Sequence, residues 1–158
     1  MILINFAGQI KGDSKVEGHD AWITCDSLQF GVGRAVSVSG GGQDRDVSNP
    51  SFSEFTISKS TDISSADIYY QAIQGKSLGD CEVHFIQTGG TDSSQVYLKI
   101  NLTEAIISSY SASSGGERPS ESFSINFTKI EYQYDAFDGK TKTTGTPKKW
   151  DLMANKAF

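Results

Sequence analysis

Apolar and polar residues alternate at Glu54, Phe55, Thr56, Ile57 and Ser58, a spacing that predicts a strand. A few residues later the rule changes. Ile68 with Ala72, and Tyr69 with Ile73, sit one helical repeat apart, which predicts a helix over about 64–74 with one flank packed on a sheet. Ser64 stands where a cap is needed, Asp67 lies near the positive end of the helix dipole, and Gly75 follows the last turn, where a left-handed residue fits. So short a helix is unstable alone and has to lean on other elements.

The rest of the chain is patterned as strand. Residues 2–7 alternate as a first one. The segment 21–30 is apolar on both sides at Trp22, Ile23 and Cys25 but polar on one side at Ser27 and Gln29. That is the pattern of a strand that leaves a core and ends at a wet surface. Strands follow at 81–88 and 95–102, joined by a Gly-rich hairpin loop, and at 104–110. Residues 121–137 read as the longest strand. Its apolar parity shifts from Phe123, Ile125 and Phe127 to Ile130, Tyr132 and Tyr134, which signals a bulge or a bend from one sheet into another. Asp138-Gly139 is a hairpin turn, and 149–152 forms a last edge anchored by Trp150. About eight or nine antiparallel strands predict a mainly β fold: a small antiparallel β-barrel or rolled two-sheet sandwich with the helix on its flank.

Composition narrows the class. Sixteen Gly against three Pro, with nine Phe, six Tyr and two Trp among 158 residues, suit many strands joined by turns within a single domain over 1–158. A formal charge of −5 with scattered basic residues argues against a nucleic-acid partner. No stretch is long and apolar enough for membrane insertion, and the start Met1-Ile2-Leu3-Ile4-Asn5 lacks the basic residues of a secretory signal. The protein is therefore expected to be made and folded in the cytoplasm, with Cys25 and Cys81 as reduced, buried thiols. Neither these nor His19 and His84 have the spacing of a metal site, and His84, on the polar side of its strand, reads as a surface or cross-strand residue.

Gly31-Val32-Gly33-Arg34 lacks the third glycine and the helix of a dinucleotide site and reads as a bend. The Gly-rich loop over 39–50 lacks the Lys-Ser/Thr pair of a phosphate cradle. Loops this long are functional or mobile, and composition leaves both open. A second Gly/Ser-rich loop covers 111–119. No nucleophile motif occurs, and spacing singles out no acid–base pair among Glu54, Asp62, Asp67, Glu104, Glu117 and Glu121. No catalytic, cofactor-binding or metal-binding residue is predicted, no cofactor is implied, and the chain reads as a non-enzyme. A stand-alone ligand-binding β-sandwich, for instance a carbohydrate-binding module, is the alternative.

A strand, then Phe55-Thr56-Ile57-Ser58-Lys59 with Asp62, a small-residue turn, and a helix ending in Gly75-Lys76: that order resembles the Hcp family, the tube proteins of bacterial type VI secretion systems. Other stretches resemble the family pattern in chain order. They are Lys11-Gly12-Asp13-Ser14, Ser27-Leu28-Gln29-Phe30-Gly31, Gly40-Gly41-Gly42, and Tyr97 through Ala105 followed by Ile107-Ser108-Ser109-Tyr110. Pro119-Ser120-Glu121 with Phe123, Ile125 and Phe127 comes next, then Lys149-Trp150-Asp151-Leu152 with Asn155. Lys149 stands where the family usually has Gly, and Ile63-Ser64-Ser65 where Ala-Ser-Pro is common.

The resemblance covers nearly the whole chain and implies a small β-barrel with one helix, assembled as homo-hexameric rings that stack into a tube. A contractile sheath would expel that tube behind a tip (spike) protein, carrying effector proteins in the ring lumen to the extracellular space or a target cell. Phage tail-tube proteins share this fold and role and form a further alternative. On this resemblance Gly40, Gly41, Gly42, Gln43, Asp44 and Arg45 are the ring-stacking loop, and Ser27 and Gln29 face the lumen and its cargo. Lys59, Asp62, Pro119, Glu121, Phe127, Trp150 and Asp151 are family-motif residues expected to hold the fold. Some family members carry a C-terminal toxin domain; none is expected after Phe158.

Overall fold

A computed structural model describes residues 1–38, 45–89, 93–138 and 141–158. Two antiparallel sheets enclose one core. The larger has seven strands, in spatial order Lys156–Ala157, Lys148–Asp151, Lys129–Tyr134, Ser93–Thr103, Cys81–Gly89, Ile2–Asn5 and Ile23–Cys25. The smaller has four, Ile106–Ser113, Ser120–Asn126, Phe55–Ser60 and Ser27–Gln29. This is the mainly β, barrel-like architecture that the alternation predicts, with a single helix, Ser65–Gln74, among the described residues.

Two of the expected strands are each a pair. Residues 21–30 divide at Asp26, so that Ile23–Cys25 edges the large sheet and Ser27–Gln29 edges the small one. The Asp26 amide donates to the Ser58 carbonyl at 2.8 Å and fixes the corner. Residues 121–137 divide likewise at Phe127 and Thr128, where the parity shifts, and pass from the small sheet to the large. Bulges at Tyr97 and Ser108 interrupt two further ladders. The two divisions, together with short extra pairs such as Val32–Gly33 with Ser51–Phe52 and Ala136–Asp138 with Thr141–Thr143, give seventeen short strands among the described residues where eight or nine are expected.

Phe6, Phe55 and Phe123 are fully buried, with Ile4, Ile57, Ile100 and Ile125 from both sheets around them. Burying each such side chain contributes about 1.5–3 kcal/mol. The helix covers one end of this core against Ile106–Ser113. Of its two expected pairs, Ile68 is buried and Ala72 touches the core, whereas Tyr69 packs edge-on to Tyr110 at 5.6 Å while staying half exposed and Ile73 is exposed. Gly75 is left-handed (φ 64°) and its amide donates to the Gln71 carbonyl, as the sequence predicts.

Ser64 does not cap as expected. It occupies the N-cap position with helical angles, makes no capping bond, and donates its hydroxyl to the Asp62 carboxylate instead. With helical rather than extended angles Ser64 does not aim its oxygen at the amides of the first turn, and its hydroxyl donates to the ionised carboxylate beside it. The loop expected over 39–50 is also shorter, because Arg45–Val47 pairs with Val36–Val38. The 111–119 loop is cut back too, by a strand that continues to Ser113. Glycine is dictated at Gly12, where a Cβ would lie 2.2 Å from the Trp22 carbonyl oxygen. That close approach folds the 8–22 segment back on itself where it enters the strand Ile23–Cys25.

Candidate functional site: a hydroxyl-covered sheet face and the ion cluster behind it

Alternation gives the small sheet two unlike sides. Leu28, Ile57, Phe123 and Tyr110 form one row on the inner side, read across the register. On the outer side the corresponding row is Ser27, Ser58, Ser122 and Ser111. The next is Gln29, Thr56, Ser124 and Ser109, and a third begins at Ser60 with Ser120 and Ser113. Across these rows no side chain carries a charge. Ser27 and Gln29 are exposed, as are Ser109, Ser111, Ser113 and Ser120. Charge enters only at the margins: Asp26 lies 3.5 Å from the Ser60 hydroxyl, and Glu54 accepts from Ser108 at 2.6 Å and from Asn126 at 3.3 Å. Such a face donates and accepts hydrogen bonds over its whole area and attracts neither sign of charge.

Behind one end of it lies a buried ionic knot. Lys59, wholly unexposed, comes from the inner side of Phe55–Ser60, directly opposite Glu121 in the register. Its Nζ donates to Glu121 Oε1 at 2.6 Å, Asp62 Oδ1 at 2.8 Å and the Ser60 carbonyl at 2.9 Å. Ser65 Oγ, in the first helical turn, donates to the same Glu121 oxygen at 2.8 Å and accepts from the Asp62 amide at 2.9 Å. Tyr110 donates to the other Glu121 oxygen at 2.6 Å. Two strands, a turn and the helix therefore meet on one ammonium. Burial pushes the Asp62 carboxyl up, but donation by Lys59 and Ser64 outweighs it and leaves the group below its ordinary range. Burial together with donation to Glu121 pushes the Tyr110 phenol up to about 12.

The remaining motif residues act separately. Pro119 supplies a carbonyl that accepts from both the amide and the hydroxyl of Thr61, each at 3.1 Å, and so closes the turn before the helix. Phe127 fills the corner between the sheets, edge-on to Phe52 and Phe55. Trp150 and Asp151 sit at the far margin of the large sheet, away from the knot. Asp151 Oδ1 accepts from the amides of Met153 and Ala154 at 2.9 and 3.0 Å. The Ala154 amide, with help from Met153, holds that carboxyl below its usual range. The following tight turn is completed by left-handed Asn155 (φ 54°). Lys149, in place of the family's Gly, lies in regular strand opposite Glu131. Gly40, Gly41, Gly42, Gln43 and Asp44 lie outside the described residues, and Arg45 opens the strand Arg45–Val47.

One contact escapes a reading of the sequence. His84 is the cross-strand residue expected, opposite Lys99, but more than that: its Nδ1 lies 2.8 Å from His19 Nε2, and Trp22 packs on both rings at 4.7 and 4.6 Å. His19 Nδ1 faces the Glu17 carbonyl at 3.3 Å, so a neutral His19 leaves Nε2 bare to accept from His84. Burial, then the nearby His19 and Lys99, lower the His84 pKa to about 4. The only hint in the sequence was a His on the polar parity of a strand, with a Trp and a second His in a distant loop. Among the described residues no cluster of three potential metal ligands forms, and no hydroxyl or thiol is bonded to either imidazole. Cys25 and Cys81 are free and buried, and burial raises the thiol pKa of both, that of Cys25 to about 12.

Comparison with known proteins agrees with this layout. No relative was found among the curated proteins. Several solved structures share the fold. One, described as a type six secretion system protein, has a TM-score of 0.90 at 23% identity, covering 99% of this chain and 98% of its own. Hcp1 from Salmonella typhimurium has 0.75 at 18% identity, covering 99% and 97%. A type VI secretion system effector from Yersinia pestis has 0.69 at 19% identity, covering 96% and 99%. Residues 4–134 match the family described as "Type VI secretion system effector, Hcp". With most of its length inside that match, and with the motif residues built into one fold, the chain belongs to the Hcp family of type VI secretion tube subunits.

Proposed function

We propose that this tube subunit assembles as hexameric rings whose bore is lined by the hydroxyl-covered face of the small sheet, and that effector proteins travel in that bore. The observation that carries the reading is the uniform neutrality of an exposed face spanning four strands. A surface of Ser, Thr and Gln offers weak, water-mediated hydrogen bonds in every direction. It can hold a folded cargo loosely and release it, where an apolar lining would stick and a charged one would sort by sign. Ser27 and Gln29, at the exposed edge of that face, are the proposed cargo contacts. The segment from Gly40 to Arg45 is proposed to reach the next ring. A spike protein at the tip and the contractile sheath are the proposed further partners, and the type VI machine the route out of the cell.

Gln29→Trp tests the lumen assignment. It adds a bulky aromatic to an exposed edge residue, so the expected result is rings of unchanged stability that recover less effector in pull-downs. Undiminished effector recovery would remove Gln29 from the lumen. Deleting Gly40 to Gln43 is expected to leave single rings intact and to abolish tubes in electron micrographs of concentrated protein.

A further inference from the structure

His19 and His84 lie 65 residues apart in the sequence and meet only through the fold. His19 belongs to the 8–22 segment and is buried, while His84 stands on the strand Cys81–Gly89 and borders a cavity of about 250 Å³. Their inner nitrogens, His19 Nε2 and His84 Nδ1, face each other at 2.8 Å. Each outer nitrogen faces an oxygen that can only accept. The Glu17 carbonyl lies 3.3 Å from His19 Nδ1, and Glu82 Oε2 lies 3.7 Å from His84 Nε2. A neutral imidazole carries a single proton. His84 spends it on His19, which leaves its own Nε2 bare against the Glu82 carboxylate. Burial, His19 and Lys99 lower the His84 pKa to about 4, so an added proton does not relieve this at neutral pH.

We propose that His84 Nδ1 and His19 Nε2 together bind a divalent transition-metal ion of the zinc class, with water from the cavity completing its shell. Imidazole nitrogen suits such borderline ions, whereas the harder magnesium and calcium ions take oxygen. The ion takes both inner lone pairs, and the His84 proton moves to Nε2, where Glu82 accepts it. Each ring is then held from outside by an acceptor, the arrangement that orients metal-bound histidines generally. Tetrahedral bonds of about 2.0–2.1 Å set two nitrogens roughly 3.3 Å apart, so the pair opens by roughly half an ångström. His84 borders the cavity and can swing into it, and Trp22, packed on both rings, keeps their directions. Glu82 also offsets the charge of Lys99, which stands opposite His84 in the ladder. Two protein ligands make an exchangeable site, unlike the closed four-ligand shell of a structural zinc. Bound there, the ion ties the 8–22 segment to the large sheet.

The chain has two histidines, so the imidazole NMR signals of the full, untagged chain report on the site directly. On titration with zinc chloride both histidines are expected to shift together and saturate at one ion per chain, and the melting temperature to rise. Magnesium chloride is expected to do neither. His19→Gln and His84→Gln are each expected to abolish binding, and Glu82→Gln to weaken it by roughly ten-fold, as loss of an outer acceptor does. Wild-type histidine signals that stay unmoved in millimolar zinc chloride would overturn the site. So would a shift of His84 alone, zinc binding that survives either histidine substitution, or a response to magnesium equal to that to zinc.

Discussion

The two sheets share one core and one rule of alternation, yet their outer faces are chemically opposite. The small sheet turns outward a field of Ser, Thr and Gln. The large sheet turns outward ions. Lys149 faces Glu131, Glu131 faces Asn101 and Asn101 faces Glu82, while the adjoining row runs Gln133, Lys99 and His84. Folding does not demand the difference, because any polar residue satisfies the outward half of a strand. The split therefore reports what each face meets. Opposite charges laid across a ladder stabilise a surface bathed in solvent. A charge-free hydroxyl field suits a surface that slides past a partner.

The severest way to break this contrast is from behind the hydroxyl face. Lys59→Met leaves Glu121 and Asp62 buried without their cation and is expected to cost about 3–5 kcal/mol, measured by urea unfolding. Loss of less than about 1 kcal/mol would mean that the knot is not what ties helix to sheet.

Acid is the next lever, and it acts on the charged side first. His84 has a folded pKa of about 4 against an ordinary 6.5. Between those values the unfolded chain takes up a proton that the folded chain refuses. Stability contributed by the neutral imidazole is thus complete above pH 6.5 and falls as the pH drops toward 4. The slope is at most about 1.4 kcal/mol per pH unit, and less after solvent screening of a partly exposed ring. His84→Gln is expected to flatten the curve in that window. Asp62 acts lower down: its depressed carboxyl contributes stability above its ordinary value of 3.8, and this is lost as pH falls below it. A melting temperature constant from pH 7 to 4 would remove the histidine pair from the account.

Smaller effects sharpen the comparison. Ser111→Glu plants a charge on the hydroxyl face at an exposed site, so stability is expected to move by no more than about 0.5 kcal/mol. Effector recovery is expected to become salt-dependent, which the wild-type face should not show. Lys149→Gln removes one partner of a 3.9 Å surface pair from the charged face. Its expected effect on unfolding is below about 0.5 kcal/mol, with cargo unaffected.

Most of the fold was legible from local pattern. The parity shift between Phe127 and Ile130 signalled a bulge or a bend between sheets, and it is the bend that occurs; the polar positions Ser27 and Gln29 signalled the wet end of the 21–30 segment, though not its division into two strands. The helix position followed from spacing and Gly75. Legibility failed wherever a side chain had two local choices. Ser64 has the residue type and place of a cap, but its helical angles keep its oxygen off the first-turn amides, and its hydroxyl donates to Asp62. Tyr69 and Ile73 had the same spacing as Ile68 and Ala72, and only the direction of approach of Ile106–Ser113 decided that Ile68 is buried, that Tyr69 meets Tyr110 from the side and that Ile73 is exposed.

By itself the sequence determined the alternation that makes strands, the break that makes one helix, and the order of motifs that marks the family. These depend on neighbours within a few residues, where steric and solvation preferences act directly. Tertiary structure alone decided that Lys59 would meet Glu121, that His19 would meet His84, and that serines from four strands would line up into a single uncharged face. Those meetings require ladder registers between segments tens of residues apart, and a register is set by how the whole core packs.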